Sequence, residues 1–142
     1  MIPYYFDEAM LHLPRVTGLV DRTRHILDIQ TDDGAEFGLA IVRGPFPPDV
    51  TLRACIMNEI EEHQRSLRGF ELLSCTERSY EGVSGIEVRF RFIDKPGPTF
   101  HHEFHTVLGS ARIGFLGMAL MVHAKACDAW MVEALSNLTL RT

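Results

Sequence analysis

Successive residues of a strand point to opposite sides of its sheet, so a strand with one wet face alternates apolar and polar side chains. Residues 86–92 do this, with Ile86, Val88, Phe90 and Phe92 set against Glu87, Arg89 and Arg91, and predict a half-buried strand. The run from Ile113 to Val122 breaks the rule. Ile113, Phe115, Ala119 and Met121 would share one face and Leu116, Met118 and Leu120 the other, with no charged or polar side chain on either. Such a strand belongs at the centre of a sheet, under a terminal helix on one side and under sheet partners or a subunit seam on the other.

The same reading along the chain predicts one or two short strands from Tyr4 to Leu13 and a strand from Arg22 to Gln30. In the latter, His25, Leu27 and Ile29 face away from Arg24, Ile26 and Asp28. The turn signal Asp32-Asp33-Gly34 leads to a strand from Ala35 to Arg43, with Phe37, Leu39 and Ile41 on one face and Gly38, Ala40 and Val42 on the other. After Gly44-Pro45-Phe46-Pro47-Pro48, a helix spans Leu52 to Leu67, capped by Asp49 or Thr51 and closed at Gly69. Its apolar stripe is Leu52, Cys55, Ile56, Ile60, His63 and Leu67; Asn58, Glu61, Glu62 and Arg65 look outward, with Glu61 placed four residues before Arg65. Strands follow at about 70–80, 85–93, 99–108 and 111–121, separated by Glu81-Gly82, Lys95-Pro96-Gly97-Pro98 and Gly109-Ser110. A closing helix from Ala124 to Asn137 carries Cys127, Trp130, Met131, Ala134 and Leu138 on one stripe. Hairpin-linked strands between two helices predict an α+β domain: an antiparallel sheet of about six to seven strands, as a single domain over residues 1–142.

Composition narrows the classes. With 46% hydrophobic and 23% charged residues the chain reads as globular, and its net charge of −5, with the basic residues scattered, argues against nucleic acid as a partner. The ten-residue apolar run is about half of the ~20 residues of a membrane-spanning helix, so no direct membrane insertion is expected. Met1-Ile2-Pro3-Tyr4-Tyr5-Phe6-Asp7-Glu8 has no basic region leading into an apolar stretch, and no secretory signal is read there. Cys55, Cys75 and Cys127 are odd in number and form no Cys-x-x-Cys pair. They suit the core of a protein in a reducing cytoplasm.

The most enzyme-like cluster is His101-His102-Glu103-Phe104-His105. His101, Glu103 and His105 share a face, but the outer two are ~13 Å apart along a strand. Metal ligands sit ~2 Å from the ion, so a third would have to come from Asp28, His25 or Glu59. A polar, partly solvated strand face accounts for the same residues. Ser84 and Ser110 lie next to turn glycines without a Gly-x-Ser-x-Gly elbow, Cys75 has no neighbouring cation to activate it, and Gly82-Val83-Ser84-Gly85 reads as turn glycines, not a phosphate cradle. No catalytic residue and no cofactor is expected.

Tyr5-x-x-Glu8-Ala9-x-Leu11-x-Leu13-Pro14, followed by Asp21-Arg22-Thr23 and a strand, resembles the opening of the DcrB-related family. Its short cytoplasmic members include the effector-associated (Eag) chaperones of bacterial type VI secretion. The resemblance continues through Leu67-Arg68-Gly69-Phe70, the Gly82-x-x-Gly85 turn and the terminal helix. Where the family has an aromatic Trp-x-Asp before the second strand, this chain has Gly18-Leu19-Val20-Asp21. The resemblance implies a Mog1/PsbP-like fold, a homodimer, and a sheet surface that cradles the amino-terminal transmembrane helices of a secreted effector. By position, the client-binding residues would be Arg24, Ile26, Ala40, Val42, Glu59, Leu67 and Glu103. Read from the residues alone, Ile26, Ala40 and Val42 lie opposite the stronger core set of their strands. They could equally pack under the second helix or at a dimer seam. A metal site on His101, Glu103 and His105, and a general protein-interaction domain, remain the alternatives to the chaperone reading.

Overall fold

A computed structural model describes residues 2–6, 9–13, 22, 24–95 and 97–140, with side-chain surroundings from residue 22 onward. Strands β1 (Ile2–Phe6) and β2 (Ala9–Leu13) pair as an antiparallel hairpin. The main sheet is built from β3 (Arg24–Gln30), β4 (Glu36–Pro45), β5 (Glu71–Tyr80), β6 (Val83–Ile93), β7 (Pro98–Leu108) and β8 (Ala111–Leu120). These six strands run antiparallel in the order β3-β4-β8-β7-β6-β5. Helix α1 (Leu52–Ser66) carries the chain from β4 to the far edge, and the β5-to-β8 meander returns it beside β4. After a single 3-10 turn, Met121–His123, helix α2 (Ala124–Ser136) closes the domain. The segment Gly18-Leu19-Val20-Asp21, with the rest of residues 14–21, lies outside the described residues.

The chain earns these elements locally. Thr51 caps α1 by accepting a hydrogen bond from the Ala54 amide at 3.1 Å. Glu81 and Gly82, with φ of 50° and 80°, form the left-handed pair that a two-residue hairpin with right-twisted strands requires. The Ile113–Val122 run mostly forms β8, third in the sheet, but Met121 and Val122 leave the strand for the 3-10 turn, where Val122 is 81% exposed.

The two helices cover opposite faces. Under α2, Cys127, Met131 and Leu135 pack on Phe37, Leu39, Phe104 and Ala119, with Trp130 and Leu138 partly buried beside them. Ala134, placed on this stripe by periodicity, is exposed, and Leu135 takes its position. A Cβ at Gly117 would lie 2.7 Å from Met131 Cγ and 3.2 Å from Cys127 Sγ, so the glycine lets α2 approach β8. Under α1, Ile56 and Ile60 pack on Ile86, Val88 and Phe90, with Leu52, Leu67 and Phe70 at the margin. On the wet side of α1 Arg65 pairs with Glu62 at 2.7 Å, not with Glu61. Gly85 is not a turn residue: inside β6, its Cβ would fall 2.2 Å from the His105 carbonyl oxygen and 2.7 Å from the Phe104 ring.

Candidate functional site

Side-chain alternation and strand register lay out the face that carries α1. One row runs Ile26, Ala40, Leu116, Glu103, Val88, Cys75 across the strands from β3 to β5. The rows on either side run Arg24, Val42, Gly114, His105, Ile86 and Asp28, Gly38, Met118, His101, Phe90. Helix α1 covers the β5–β6 end; among the described residues, none packed against its core comes from β3 or β4. The other end is therefore an apolar surface on β3, β4 and β8 that neither helix roofs. Its floor holds small residues between Val42, Leu116 and Met118: Ala40 and Gly114 are buried, while Gly38 is half-buried like the three larger side chains. Ile26 stands at its edge, 71% exposed.

A polar rim on β7 divides this surface from α1. Glu103 accepts from both neighbouring rings: Oε2 lies 3.0 Å from His101 Nδ1, and Oε1 lies 2.9 Å from His105 Nε2. Burial alone would raise the Glu103 carboxyl, but the hydrogen bonds from His101 and His105 win and hold it at about 2. The Arg112 guanidinium forks onto Glu59 of α1, with Nη1 donating to Oε2 at 2.5 Å and Nη2 to Oε1 at 2.8 Å. Nη2 also lies 3.1 Å from His105 Nδ1. The His101 ring lies tilted against Phe90, centroids 4.8 Å apart, and meets Phe92 edge-on at 5.3 Å.

The other face of β7 carries a second polar cluster, closed beneath α2. Glu87 and His102 are fully buried. Tyr80 donates its hydroxyl to Glu87 Oε2, and His102 Nε2 lies 3.0 Å from the same oxygen. Arg89 joins Glu87 Oε1 at 2.8 Å to Asp128 Oδ1 of α2 at 2.6 Å. His102 Nδ1 is 2.9 Å from Asp128 Oδ1, close enough for an ion pair but without the alignment of a hydrogen bond. Burial pushes the Glu87 carboxyl up, yet donation from His102 and Tyr80 and the Arg89 charge bring it down to about 2. The Tyr80 hydroxyl is raised by burial and by the same carboxylate.

The structure thus brings Arg24, Ile26, Ala40, Val42 and Glu103 onto one surface, with Glu59 joined to it through Arg112. Leu67 stands apart in the α1 core. The possibility that Ile26, Ala40 and Val42 lie under the second helix is corrected: α2 occupies the opposite face. Glu87 and Arg89, expected on a wet face, lie under α2 instead. The histidine-rich face is also drier than a partly solvated strand, with the His101, Glu103 and His105 side chains all largely covered.

Arg112, Leu116 and Met118 are the members of the surface that residue-type reasoning passed over. Their common parity with Gly114 in the apolar run was the available signal. Among the described residues no group of three or more His, Cys, Asp or Glu side chains is placed to hold a metal ion. Glu103 spends both oxygens on its neighbours' rings, and His105 spends both nitrogens.

No family model and no curated protein matches the chain. Solved structures resemble it, among them two that each cover more than nine-tenths of the chain. The crystal structure of PA94 from Pseudomonas aeruginosa, a protein of unknown function described as a candidate regulator, superposes with a TM-score of 0.81 at 15% identity, covering 99% of this chain and 97% of that one. The solution structure of the cyanobacterial PsbP (CyanoP) of Synechocystis sp. PCC 6803 superposes with a TM-score of 0.58 at 12% identity, covering 92% of this chain and 99% of that one. At such identities the likeness shows the fold, which is PsbP-like.

Proposed function

We propose that this protein is a non-enzymatic cytoplasmic chaperone or adaptor. It shields the apolar amino-terminal segments of a type VI secretion effector until loading, as the resemblance to the DcrB-related Eag chaperones implies. The observation that carries the reading is the half-sheet of Ile26, Ala40, Val42, Leu116 and Met118, which neither α1 nor α2 covers and on which Ile26 is bare. Apolar surface in water costs ~25 cal/mol per Å² until it is covered, and a transmembrane helix has the same need. The small floor residues Gly38 and Ala40 let a helix backbone come close, as small residues do between membrane helices, whereas the space above Gly114 is taken by Val42 and His105. At the rim the part-exposed Glu59 carboxylate, with lone pairs beyond those Arg112 takes, offers hydrogen bonds to Ser, Thr or Asn side chains of the client. Homodimerisation suits the β3 edge, where Ile26 and Leu27 are exposed on opposite faces of a terminal strand.

Co-expression tests the reading. An effector fragment with an apolar stretch of about 20 residues should stay in solution with the wild-type protein and be lost with Val42→Asp. Full retention by a folded Val42→Asp variant sinks the groove assignment. Retention of a wholly polar segment instead would indicate a general interaction domain.

A further inference from the structure

We propose that the rim of this surface is a proton switch, in which a proton and the Arg112 guanidinium compete for the lone pair of His105 Nδ1. The inference rests on the client-holding reading and names its regulation. His105 is only 5% exposed, and its two ring nitrogens have opposite tasks. Nε2 sits 2.9 Å from Glu103 Oε1; an ionised carboxylate only accepts, so Nε2 carries the hydrogen. Nδ1 sits 3.1 Å from Arg112 Nη2; a guanidinium only donates, so Nδ1 presents its lone pair. The geometry fixes His105 as the neutral Nε2–H tautomer.

Protonation needs that same lone pair. It would aim an N–H at the guanidinium and set two cations side by side, so His105 takes a proton as Arg112 leaves it. His101 differs: its described polar partner is Glu103, and its ring rests on Phe90 and Phe92. The described charged or titratable groups around His105 are Glu103 and His101 from β7, Arg112 from β8, and Glu59 from α1 through Arg112. From the remaining strands, β6 sets Ile86 opposite it, and the row beyond Gly114 continues through Val42 to Arg24.

The consequence reaches the client surface because the Arg112–Glu59 fork ties β8 to α1 and forms the wall between helix and groove. A proton on His105 Nδ1 displaces Arg112, adds positive charge beside an apolar floor and loosens the hold on the client. The loss is about tenfold in affinity, that of one hydrogen bond to a charged group.

The test titrates a helical apolar peptide of about 20 residues, free of titratable side chains, into the protein at about pH 7.5 and about pH 5.5. In parallel, ¹⁵N NMR reads the His105 ring in the peptide-free protein. Expected are the Nε2–H tautomer at the higher pH, about tenfold weaker binding at the lower, and pH-independent binding by His105→Gln. The Gln amide donates to Glu103 and accepts from Arg112 with no proton to gain. Arg112→Gln, which removes the competing cation, should lose the same dependence. An Nδ1–H tautomer, equal affinity at the two pH values, or undiminished pH dependence in both variants overturns the switch and leaves the client reading standing. Absence of binding at the higher pH overturns the client reading and this inference with it.

Discussion

The two faces of β7 carry the same chemistry to different ends. On one, His102 and Glu87 are joined by Tyr80, Arg89 and Asp128 and sealed under α2. On the other, Glu103 stands between His101 and His105 at the rim of an apolar surface that neither α1 nor α2 covers. A histidine–carboxylate cluster is a lock where a helix closes it, and a rim where the neighbouring sheet lies open. The covering element, more than the residue types, assigns the role.

If that contrast holds, the locked face should be the costlier to disturb. Glu87→Gln would leave Arg89 and His102 facing a neutral amide inside the core, and should cost about 3–5 kcal/mol in urea unfolding. Glu103→Gln, at the rim, should cost only about 1–2 kcal/mol. Equal losses would erase the distinction between the faces.

The glycines repeat the comparison at smaller scale. Gly117→Ala drives a methyl into Met131 and Cys127, and should cost about 1–3 kcal/mol as α2 is lifted, visible in the near-ultraviolet signal of Trp130. Gly114→Ala meets Val42 Cγ2 at 3.0 Å and His105 Nδ1 at 3.1 Å and should cost less.

Most of the fold was legible because it rests on local rules. Alternation in β3, β4 and β6, helical spacing in α1 and paired turn residues between strands all act within a few positions. What was not legible depends on contacts distant in sequence. Glu87 and Arg89 look like a wet face until Asp128, on another element, is brought over them. Arg112 looks like a lone surface cation until α1 presents Glu59 to it. Gly85 reads as part of its turn until the His105 backbone lies against it. The apolar run of β8 predicted cover on both sides of the sheet, but only the register separates the side under α2 from the side that neither helix covers.

The carboxylates give a pH test with a defined sign. Glu87 and Glu103 are both held at about 2, below the ordinary value of 4.5, so each adds stability that is fully present above 4.5 and is lost as pH falls toward 2. The urea midpoint should be flat in this respect above 4.5 and decline below it, and the decline should shrink in Glu103→Gln. A midpoint that rises on acidification would contradict the pairing. The smallest expected effect on stability is that of Ile26→Asp. At an exposed position it should lie within about 0.5 kcal/mol of wild type.

That variant also gives the most direct test of the central claim, that the open half-sheet holds an apolar helix. Binding of an apolar helical peptide of about 20 residues should be compared by calorimetry among the wild-type protein, Ile26→Asp and Val122→Asp. Val122 is an equally bare apolar side chain away from this surface. The account predicts that Val122→Asp binds like wild type while Ile26→Asp binds at least about tenfold more weakly. Equal binding by all three proteins, or an equal loss in both variants, would contradict it.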